Sequence, residues 1–470
     1  MEVTSQQFRA SARKALKNDR LQAALTSVQQ GFPGKRARAI DALPEFSAIS
    51  DHVTAMRDHV NAHLDVYLER FEANVEAAGG TVHWAEDADA ACRTIVDICR
   101  QAGGRAIGKG KSMASEEIGL NDALAAAGMD VTETDLGEYI LQLRNDKPSH
   151  IIAPAIHLRR DDADEAFARH HKPEQRAKST DPAELQAEAR RVLRERFANA
   201  DVGITGANML IAETGSTCIV TNEGNGDLTQ CLPRVHVVIA GIDKVVPTLA
   251  DASSMARVLS RSATGQDITV YTTFSTGPRR ADDTDGPDEY HVVLLDNGRT
   301  DLLGGPMESM LRCIRCGACM NHCPVYGAIG GHAYGWVYPG PMGAVLTPQM
   351  VGIENSADLP NASTFCGRCA EVCPVQIPLP DLMRHWRERA VEKGAEPVFM
   401  RWGLGLWAAT ARRPALYRWV GRLAARSLRL LGGRRGRLQR VPLAGGWTAS
   451  RDLPAPAARG FVDQWRSGER

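Results

Sequence analysis

The run CIRCGACMNHCP fills residues 313–324 and has the spacing C-x2-C-x2-C-x3-C-P. In the bacterial ferredoxin run of this spacing, three thiolates on one tight loop reach three corners of an iron–sulfur cubane, and the fourth cysteine ligates another cluster. Zinc is the alternative, but zinc ligands normally come as two separated pairs. The run therefore predicts a small α-helical, two-cluster ferredoxin-like domain.

A second run, CGRCAEVCP, fills residues 366–374 and lacks the first cysteine of the motif, because Ser363 stands there. The exchange of the fourth cysteine between motifs predicts two ligand groups. These are Cys313, Cys316, Cys319 and Cys373 for cluster 1, and Cys323, Cys366 and Cys369 for cluster 2. We expect two [4Fe–4S] clusters. The fourth ligand of cluster 2 is not assigned: it is Ser363, a residue of the long insert, a side chain of a partner, or no residue at all. With no fourth ligand, the centre is [3Fe–4S] or a cubane with one open iron.

The insert between Cys323 and Cys366 has 42 residues and contains YGAIGGHAYGWVYPGPMGAVLTP at 326–348. Its glycines allow close approach of the backbone to a cluster or a partner. His332, Tyr334 and Tyr338 are candidates for a function there. The favoured interpretation is that they pack a glycine-rich loop.

Upstream of the cysteines, short β-branched runs alternate with helical segments such as SEEIGLNDALAAAGM. This order is typical of a largely parallel sheet covered on both faces. The predicted strands are TVHWA, RAIGKG, VTETD, HIIAPAI, ADVGIT, TCIVTN, RVHVVIAGI, DITVYTTF and YHVVLLD. Before them, apolar residues at steps of three and four from Val53 to Val75 predict helices that end at Gly79 and Gly80. We expect a helical N-terminal segment at 1–79, an α/β domain at 80–300, the ferredoxin-like domain at 301–385 and a basic helical region at 386–470.

Two segments of the α/β domain are candidate sites. GKGKSMASEE is similar to a phosphate loop but does not match it, because residue 105 is Arg where that motif needs Gly. Lys109 and Lys111 are nevertheless suited to hold an anion, with Ser115 as the candidate helix N-cap. Farther on, four polar residues lie near strand ends, where open α/β sheets bind ligands. They are Glu213, Asn222, Glu223 and Asp227. Caps and turns explain them equally well. His236 alternates with valines and is expected to be a satisfied strand residue.

The composition is that of a folded protein: 470 residues, zero net charge and 43% apolar residues. No apolar run approaches the roughly 18–20 residues that span a bilayer, and the first residues lack the apolar core of a secretory signal. We therefore expect a cytoplasmic protein whose clustered cysteines bind metal rather than form disulfides. The remaining four cysteines are interpreted as core residues: Cys92, Cys99, Cys218 and Cys231.

Residues 401–440 contain 11 Arg and no Asp or Glu. Pro414 is suited to begin a helix in this region, and its apolar stripe includes Leu416, Trp419 and Leu423. Packing of this stripe on the ferredoxin region, or docking of a partner, is the favoured interpretation. Peripheral contact with an anionic membrane is the weaker alternative. No nucleic-acid-binding module accompanies the arginines.

Taken together, these motifs resemble the lactate utilization protein B family, iron–sulfur subunits of a bacterial L-lactate oxidation system. The segments that carry the resemblance are SMASEEIGLNDAL, TDLGEYILQL, SHIIAPAIHL, AETGS, TNEGNGDLTQCLPRVHVVIAGIDKVVP, the two cysteine runs with their insert, and SRDLPAPA. The resemblance implies a lactate-utilization domain related to sugar-phosphate isomerase and CoA-transferase-like folds, the same seven cluster cysteines, and two companion proteins. It provides no catalytic residue.

Three functions follow as hypotheses. The first is an electron-transfer subunit that relays electrons from lactate oxidation through two clusters, while a partner houses the two-electron chemistry. The second is an enzyme in its own right, which binds and oxidises a small hydroxy acid in its α/β domain. The third, clusters that only staple the fold, is disfavoured by the paired motif.

Overall fold

The computed structural model describes residues 3–176, 181–395, 397–441, 448, 451–457 and 459–468. The chain divides into two compact units, residues 1–390 and 391–470. The strands are β1 (Thr81–Ala85), β2 (Ala106–Lys109), β3 (Asp130–Glu133), β4 (Val202–Gly206), β5 (Met209–Ile211), β6 (Ser216–Thr221), β7 (Val235–Gly241), β8 (Val245–Val246), β9 (Tyr271–Ser275), β10 (Glu289–Leu295), β11 (Arg437–Leu438) and β12 (Leu453–Pro454).

Helices supply most of the remaining regular structure. In the first unit they are α1 (Phe8–Ala15), α2 (Asp19–Asp41), α3 (Phe46–Ala62), α4 (Leu64–Ala77), α5 (Ala88–Gln101), α6 (Met113–Ile118), α7 (Leu120–Ala126), α8 (Leu136–Arg144), α9 (Arg160–His170), α10 (Pro182–Ala198), α11 (Asn225–Cys231), α12 (Leu249–Ala263), α13 (Ala318–Asn321), α14 (Pro324–Ile329), α15 (Gly340–Val351), α16 (Arg368–Glu371) and α17 (Leu379–Glu392), whose last residues enter the second unit. The second unit adds α18 (Val398–Ala411), α19 (Pro414–Gly432) and α20 (Phe461–Arg466).

The main sheet has six strands in the order β1-β10-β7-β4-β2-β3, and each neighbouring pair is parallel. All seven residues of β7 are buried. A continuous apolar run of this kind is expected where helices cover both faces of a parallel sheet. The predicted α/β fold is confirmed, and the carboxyl ends of β2, β4 and β7 meet at one edge.

Two of the predicted strands belong to a second sheet, which corrects the expectation of one largely parallel sheet. This sheet has the order β8-β5-β6-β9, and β6 pairs antiparallel with both of its neighbours. TCIVTN forms β6, and DITVYTTF contributes only Tyr271–Ser275 as β9. The short strands β5 and β8 were not predicted, because runs of three and two residues carry no detectable alternation.

Two local predictions were wrong. HIIAPAI is not a strand but a series of turns, because the His150 Nδ1 atom accepts hydrogen bonds from the backbone of Ile152 and Ala153 at 3.0 and 3.1 Å. Pro154 also has no N–H to donate to a sheet. SEEIGLNDALAAAGM is two helices, α6 and α7, because Gly119 between them adopts a left-handed conformation with φ of 69°.

The predicted N-terminal helices connect the sheet to the cysteine region. The stripe from Val53 to Val75 is largely buried. The Ser50 hydroxyl donates to the carbonyl of Pro374 at 2.6 Å, and the buried Arg57 guanidinium donates to that of Leu311 at 2.6 Å. The two cysteine runs are thus held by the same helices that pack near β8.

The second unit begins at Val391, five residues after the start of the basic region predicted at 386–470. α19 starts at Pro414, as expected, but its apolar stripe is exposed rather than packed, with Trp419 at 62% and Leu423 at 53%. Trp402 and Trp407 on α18 are also exposed. Among the described residues, no helix has the length and apolar character needed to cross a membrane.

Candidate iron–sulfur sites and the adjoining cavity

The first group of thiols surrounds one small cavity. Its lining includes Cys313, Cys316, Cys319 and, from the second run, Cys373. The remaining wall is largely apolar and includes Ile151, Ile314, Met342, Val375 and Ile377. A dry pocket with four convergent thiols is suited to a soft, anionic cluster.

The other three thiols form a second group. Burial, followed by the nearby Cys323 and then Cys366 thiols, raises the pKa of Cys369 to about 11. Cys366 is exposed and Cys369 is buried. Besides burial, the nearby Cys369 thiol also contributes to the raised pKa of Cys319, so the two groups adjoin. The assignment of Cys323, Cys366 and Cys369 to a second cluster stays a prediction.

A buried hydroxyl beside the second group lacks a partner. Tyr334 is fully buried, and its pKa is raised well above the usual value by burial and by the nearby Cys323. Its oxygen has no hydrogen-bond partner among the described residues. Because buried polar atoms are normally satisfied, a cluster sulfide is a suitable acceptor for this O–H. Ser363, by contrast, already accepts a hydrogen bond from the backbone of Phe365 at 3.1 Å.

A cavity of about 280 Å³ lies at the carboxyl ends of β2, β4 and β7. We call it the strand-end cavity. One wall comes from the α/β domain and includes Lys111, Asn208 and Glu223; another comes from the cysteine region and includes Arg315 and Tyr338. Its lining shares Ile151, Ile314 and Arg315 with the lining of the four-thiol pocket. The cavity and the first thiol group are therefore neighbours.

Buried charges connect the cavity to Cys313. Arg299 donates to both oxygens of Glu117 at 2.9 Å and to Asp243 at 2.8 Å. Tyr338 donates to Glu117 at 2.5 Å, and Lys244 lies 3.1 Å from Asp243 and donates to the Cys313 carbonyl at 3.3 Å. Burial favours a higher pKa for Asp243, but Lys244, Arg299 and neighbouring arginines hold that pKa well below its usual range.

Cations outnumber anions in this network. It contains the cations Arg57, Lys244, Arg299 and Arg315 and the anions Glu117 and Asp243. A surplus of buried positive charge calls for anions nearby. The thiolates of an iron–sulfur site and an anionic ligand in the strand-end cavity both meet that need.

Of the two lysines predicted to hold an anion, only Lys111 lines the cavity. Lys109 is fully buried elsewhere, 2.8 Å from Glu133 and 3.2 Å from Glu116, which corrects its predicted role. The pKa of Glu138, next to this cluster, is raised well above its usual value by burial and by Glu133. Lys109 therefore neutralises a buried carboxylate cluster.

The predicted cap was also misplaced. Ser112, not Ser115, is the N-cap of α6, and its hydroxyl accepts from the Ser115 backbone at 3.2 Å. Ser115 lies inside the helix and accepts a hydrogen bond from Lys109 at 3.1 Å.

The four polar candidates at strand ends separate into two pairs. Asn222 and Glu223 line the strand-end cavity. Glu213 accepts from the first backbone N–H of α12 at 3.0 Å, and Asp227 accepts from the Thr273 hydroxyl, so both have local structural roles. His236 is buried and bonded to Thr205 at 2.9 Å, as expected for a satisfied strand residue.

The three candidate residues of the insert lie in different places, and the buried Tyr334 and Tyr338 agree with the packing interpretation. Tyr338 lines the cavity, and Tyr334 lies beside the second thiol group, whereas the exposed His332 bonds to the carbonyl of Lys147 at 2.8 Å. Sequence reasoning missed Arg299, Glu117 and Arg315. Arg315 stands between two cluster cysteines and Glu117 ends the candidate segment GKGKSMASEE, whereas Arg299 has no such signal in the sequence.

Family models match three parts of the chain. They are the LUD domain at residues 68–295, the 4Fe-4S dicluster domain at 309–377, and the C-terminal region of lactate utilisation protein B at 387–469. The LUD match covers most of the residues that form both sheets, and the dicluster match covers all seven cysteines of the two runs.

Curated relatives match over the full length. Lactate utilization protein B of Bacillus velezensis is 40% identical over 478 aligned residues, which cover 100% of this chain and 98% of the relative. The protein of the same name from Macrococcus caseolyticus is 40% identical over an alignment that covers 98% of this chain and 97% of that relative. A solved structure of a DUF162 family protein from Deinococcus radiodurans matches 49% of this chain and 98% of that protein's chain, with 14% identity and a TM-score of 0.28.

Proposed function

The chain belongs to the lactate utilization protein B family, and from that membership we propose that it is a cytoplasmic electron-transfer component of a complex that oxidises L-lactate to pyruvate. It carries a 4Fe-4S dicluster domain. Each bound cluster would supply one-electron transfer. Two companion lactate utilization proteins would complete the complex.

The observation that carries this proposal is the division of the seven thiols into a group of four and a group of three. Cys319, of the first group, lies in the short helix α13, and Cys323, of the second group, is the N-cap of α14 four residues later. Four residues of fully extended chain span at most about 14 Å, so the two groups are close enough to serve one electron path. Two such centres match the oxidation of one carbinol group, which releases two electrons, one proton from the C–H bond and one from the hydroxyl.

The surrounding residues favour an added electron at the first group. Arg57, Lys244 and Arg315 place positive charge beside Cys313. Positive charge near a cluster raises its reduction potential. No flavin or nucleotide motif is present in the sequence, so a partner would contribute the two-electron step.

We expect L-lactate to reduce the clusters only when both companion proteins are present. The full chain would be purified without oxygen, its iron and sulfide quantified, and cluster reduction followed by EPR after addition of L-lactate. Dithionite defines complete reduction in the same samples.

Two other outcomes contradict the relay. Reduction by L-lactate without companions would favour the second candidate, an enzyme that binds and oxidises a small hydroxy acid, for which the strand-end cavity provides room. If dithionite reduces the clusters but L-lactate does not, with or without companions, lactate is the wrong donor.

We further infer that the C-terminal region binds a companion protein with an acidic surface. α18 is apolar apart from Arg401 and Thr410, and its Trp402 and Trp407 are 77% and 61% exposed. The arginines of residues 401–440 have no acidic residue among them. Exposed tryptophans beside arginines are typical of the centre of a protein interface.

Replacing Trp402 and Trp407 together with Ser is expected to weaken binding of a companion by about tenfold or more, because interface tryptophans contribute most to affinity. Affinity would be measured with the full chain at two salt concentrations, and it should fall as salt rises. Trp84→Ser is the control, since Trp84 is 52% exposed on β1 in the other unit. Equal affinity of the double variant, or salt-dependent binding to anionic vesicles in place of a companion, would overturn this inference.

A further inference from the structure

We propose that the strand-end cavity binds a small organic oxyanion, a carboxylate or a phosphate, with the Arg315 guanidinium as its anchor. The site adjoins the four-thiol pocket, with which it shares Arg315, but binding of a ligand there does not require the relay. Its position agrees with a general rule, since open α/β sheets bind ligands beyond the carboxyl ends of their strands. β2, β4 and β7 end at this cavity.

Arg315 has a free donor of the kind expected of a binding residue. It lies between Cys313 and Cys316 with φ of 58°, and Phe365, at the same place in the second cysteine run, has φ of 55°. This left-handed conformation therefore belongs to the cysteine loop, and it is the Arg315 side chain that points to a ligand. Its Nη1 atom is buried without a hydrogen-bond partner among the described residues. An oxyanion would satisfy this donor.

Packing holds the guanidinium in place without neutralising it. The Arg315 Cζ atom lies 4.8 Å from the centroid of the Tyr338 ring. No carboxylate lies within ion-pair distance of Arg315 among the described residues, whereas Arg299 pairs with Glu117 and Asp243. Because a guanidinium stays charged and presents planar donors, it suits bidentate binding of a carboxylate or phosphate.

The opposite wall contributes a second cation and room for a ligand. The Lys111 ammonium donates to the Ile152 carbonyl at 2.6 Å, which leaves further donors for a ligand. Gly110, Gly206 and Gly241 lie at the ends of the three strands and line the cavity. A Cβ at Gly241 would lie 2.4 Å from the Arg299 Nε atom, so this glycine is needed for the charge network to approach the strand end.

The cavity limits the ligand to a small molecule. Its volume is about 280 Å³. An apolar cavity of about 150 Å³ holds one benzene, and pockets for larger organic ligands begin near 300 Å³. Glu223 and Asp135 share the part of the wall near Lys111, and burial followed by Asp135 raises the pKa of Glu223. These carboxyl groups disfavour a second anionic group there and can bind a ligand hydroxyl instead.

Binding would be coupled to the first thiol group. Arg315 stands within the loop that carries Cys313 and Cys316. An anion on its guanidinium offsets a positive charge beside that site, which lowers the reduction potential of a cluster bound there. By reciprocity, reduction of the cluster weakens binding of the anion.

Calorimetry on the full chain with its clusters tests the proposal with sodium L-lactate, sodium pyruvate and inorganic phosphate as probes. Neutral 1,2-propanediol controls for the carbon skeleton. We expect saturable binding either of a carboxylate or of phosphate, and the probe that binds identifies the class of anion. We expect no binding of the diol. The bound anion should also shift the midpoint of an EPR-monitored redox titration to lower potential.

Arg315→Gln is expected to weaken binding about tenfold or more and to abolish the shift of the midpoint, because a bidentate charged contact is lost. Arg312→Gln is the matched control, since Arg312 also adjoins a cluster cysteine but binds Asp58 outside the cavity. If Arg315→Gln loses iron, the affinity of Lys111→Met for the anion provides the test instead. Its control is Lys147→Met, since Lys147 is exposed and lies outside the cavity.

Two results would overturn the proposal: no saturable binding of any probe by a chain with its full iron content, or unchanged affinity in the Arg315 variant with full iron and in Lys111→Met. Either result leaves the relay intact, because reduction in the presence of companion proteins is measured separately.

Discussion

Cys373→Ser is expected to remove the cluster of the first cysteine run, although Cys373 belongs to the second run. Its thiol lines the same cavity as Cys313, Cys316 and Cys319. A serine hydroxyl is a hard ligand that stays protonated at neutral pH, so it is a poor substitute for a thiolate on iron. The variant should lose about half of the iron that two [4Fe–4S] clusters hold.

Cys323→Ser should give the reciprocal result. This cysteine belongs to the first run, but its thiol lies with Cys366 and Cys369. EPR of the dithionite-reduced protein, together with iron and sulfide analysis, would identify the surviving centre in each variant. Cys218→Ser is the control, because Cys218 is fully buried on β6 in the α/β domain and should leave both centres unchanged. The exchange of ligands would be wrong if each variant lost only the cluster of its own run.

The cysteine groups could be predicted because their information is local. Spacings of two and three residues determine which thiols share a loop, and the general rule for the fourth cysteine supplies the one long-range contact. The strands of the parallel sheet were predictable for a similar reason, since buried β-branched runs such as Val235–Gly241 are visible without knowledge of their neighbours.

The strand-end cavity could not be predicted, because it depends on contacts between distant residues. Lys111, Asn208 and Arg315 come from three different parts of the chain and become neighbours only after folding. Arg299 and Glu117 are separated by 182 residues. Glu117 ends the segment GKGKSMASEE, but nothing in that segment indicates a distant arginine, and Arg299 has no motif around it. The error over HIIAPAI has the same origin, since His150 bonds to Asn321 at 3.0 Å and turns the segment toward the cysteine region.

Arg299 links those distant parts energetically. It is 3% exposed, and it neutralises Glu117 and Asp243 at the same time. Glu117 in turn accepts hydrogen bonds from Tyr338 of the insert and from Asn297 at 2.5 and 2.7 Å. Burial favours a higher pKa for Glu117, but Arg299 and these donors hold its pKa below the usual value. One guanidinium therefore keeps two buried carboxylates ionised between the sheet and the cysteine region.

Arg299→Met is expected to lower the free energy of unfolding by about 3–5 kcal/mol at pH 7, because it leaves buried charges without their partner. The loss would be measured by urea unfolding of the full chain under anaerobic conditions. Arg93→Met removes the same charge from the exposed face of α5 and should change stability by at most about 0.5 kcal/mol.

The pH dependence of that loss distinguishes broken ion pairs from lost packing. A carboxylate whose pKa is lowered by folding stabilises the protein above its unfolded pKa, and this stabilisation disappears as the pH falls through the folded pKa. Glu117 and Asp243 both have lowered pKa values in the folded chain. The difference between Arg299→Met and the wild-type chain should therefore be largest near neutral pH and shrink below about pH 4, where carboxyl groups become protonated. A difference that stays constant down to acidic pH would mean that Arg299 acts through its packed side chain rather than through its charge.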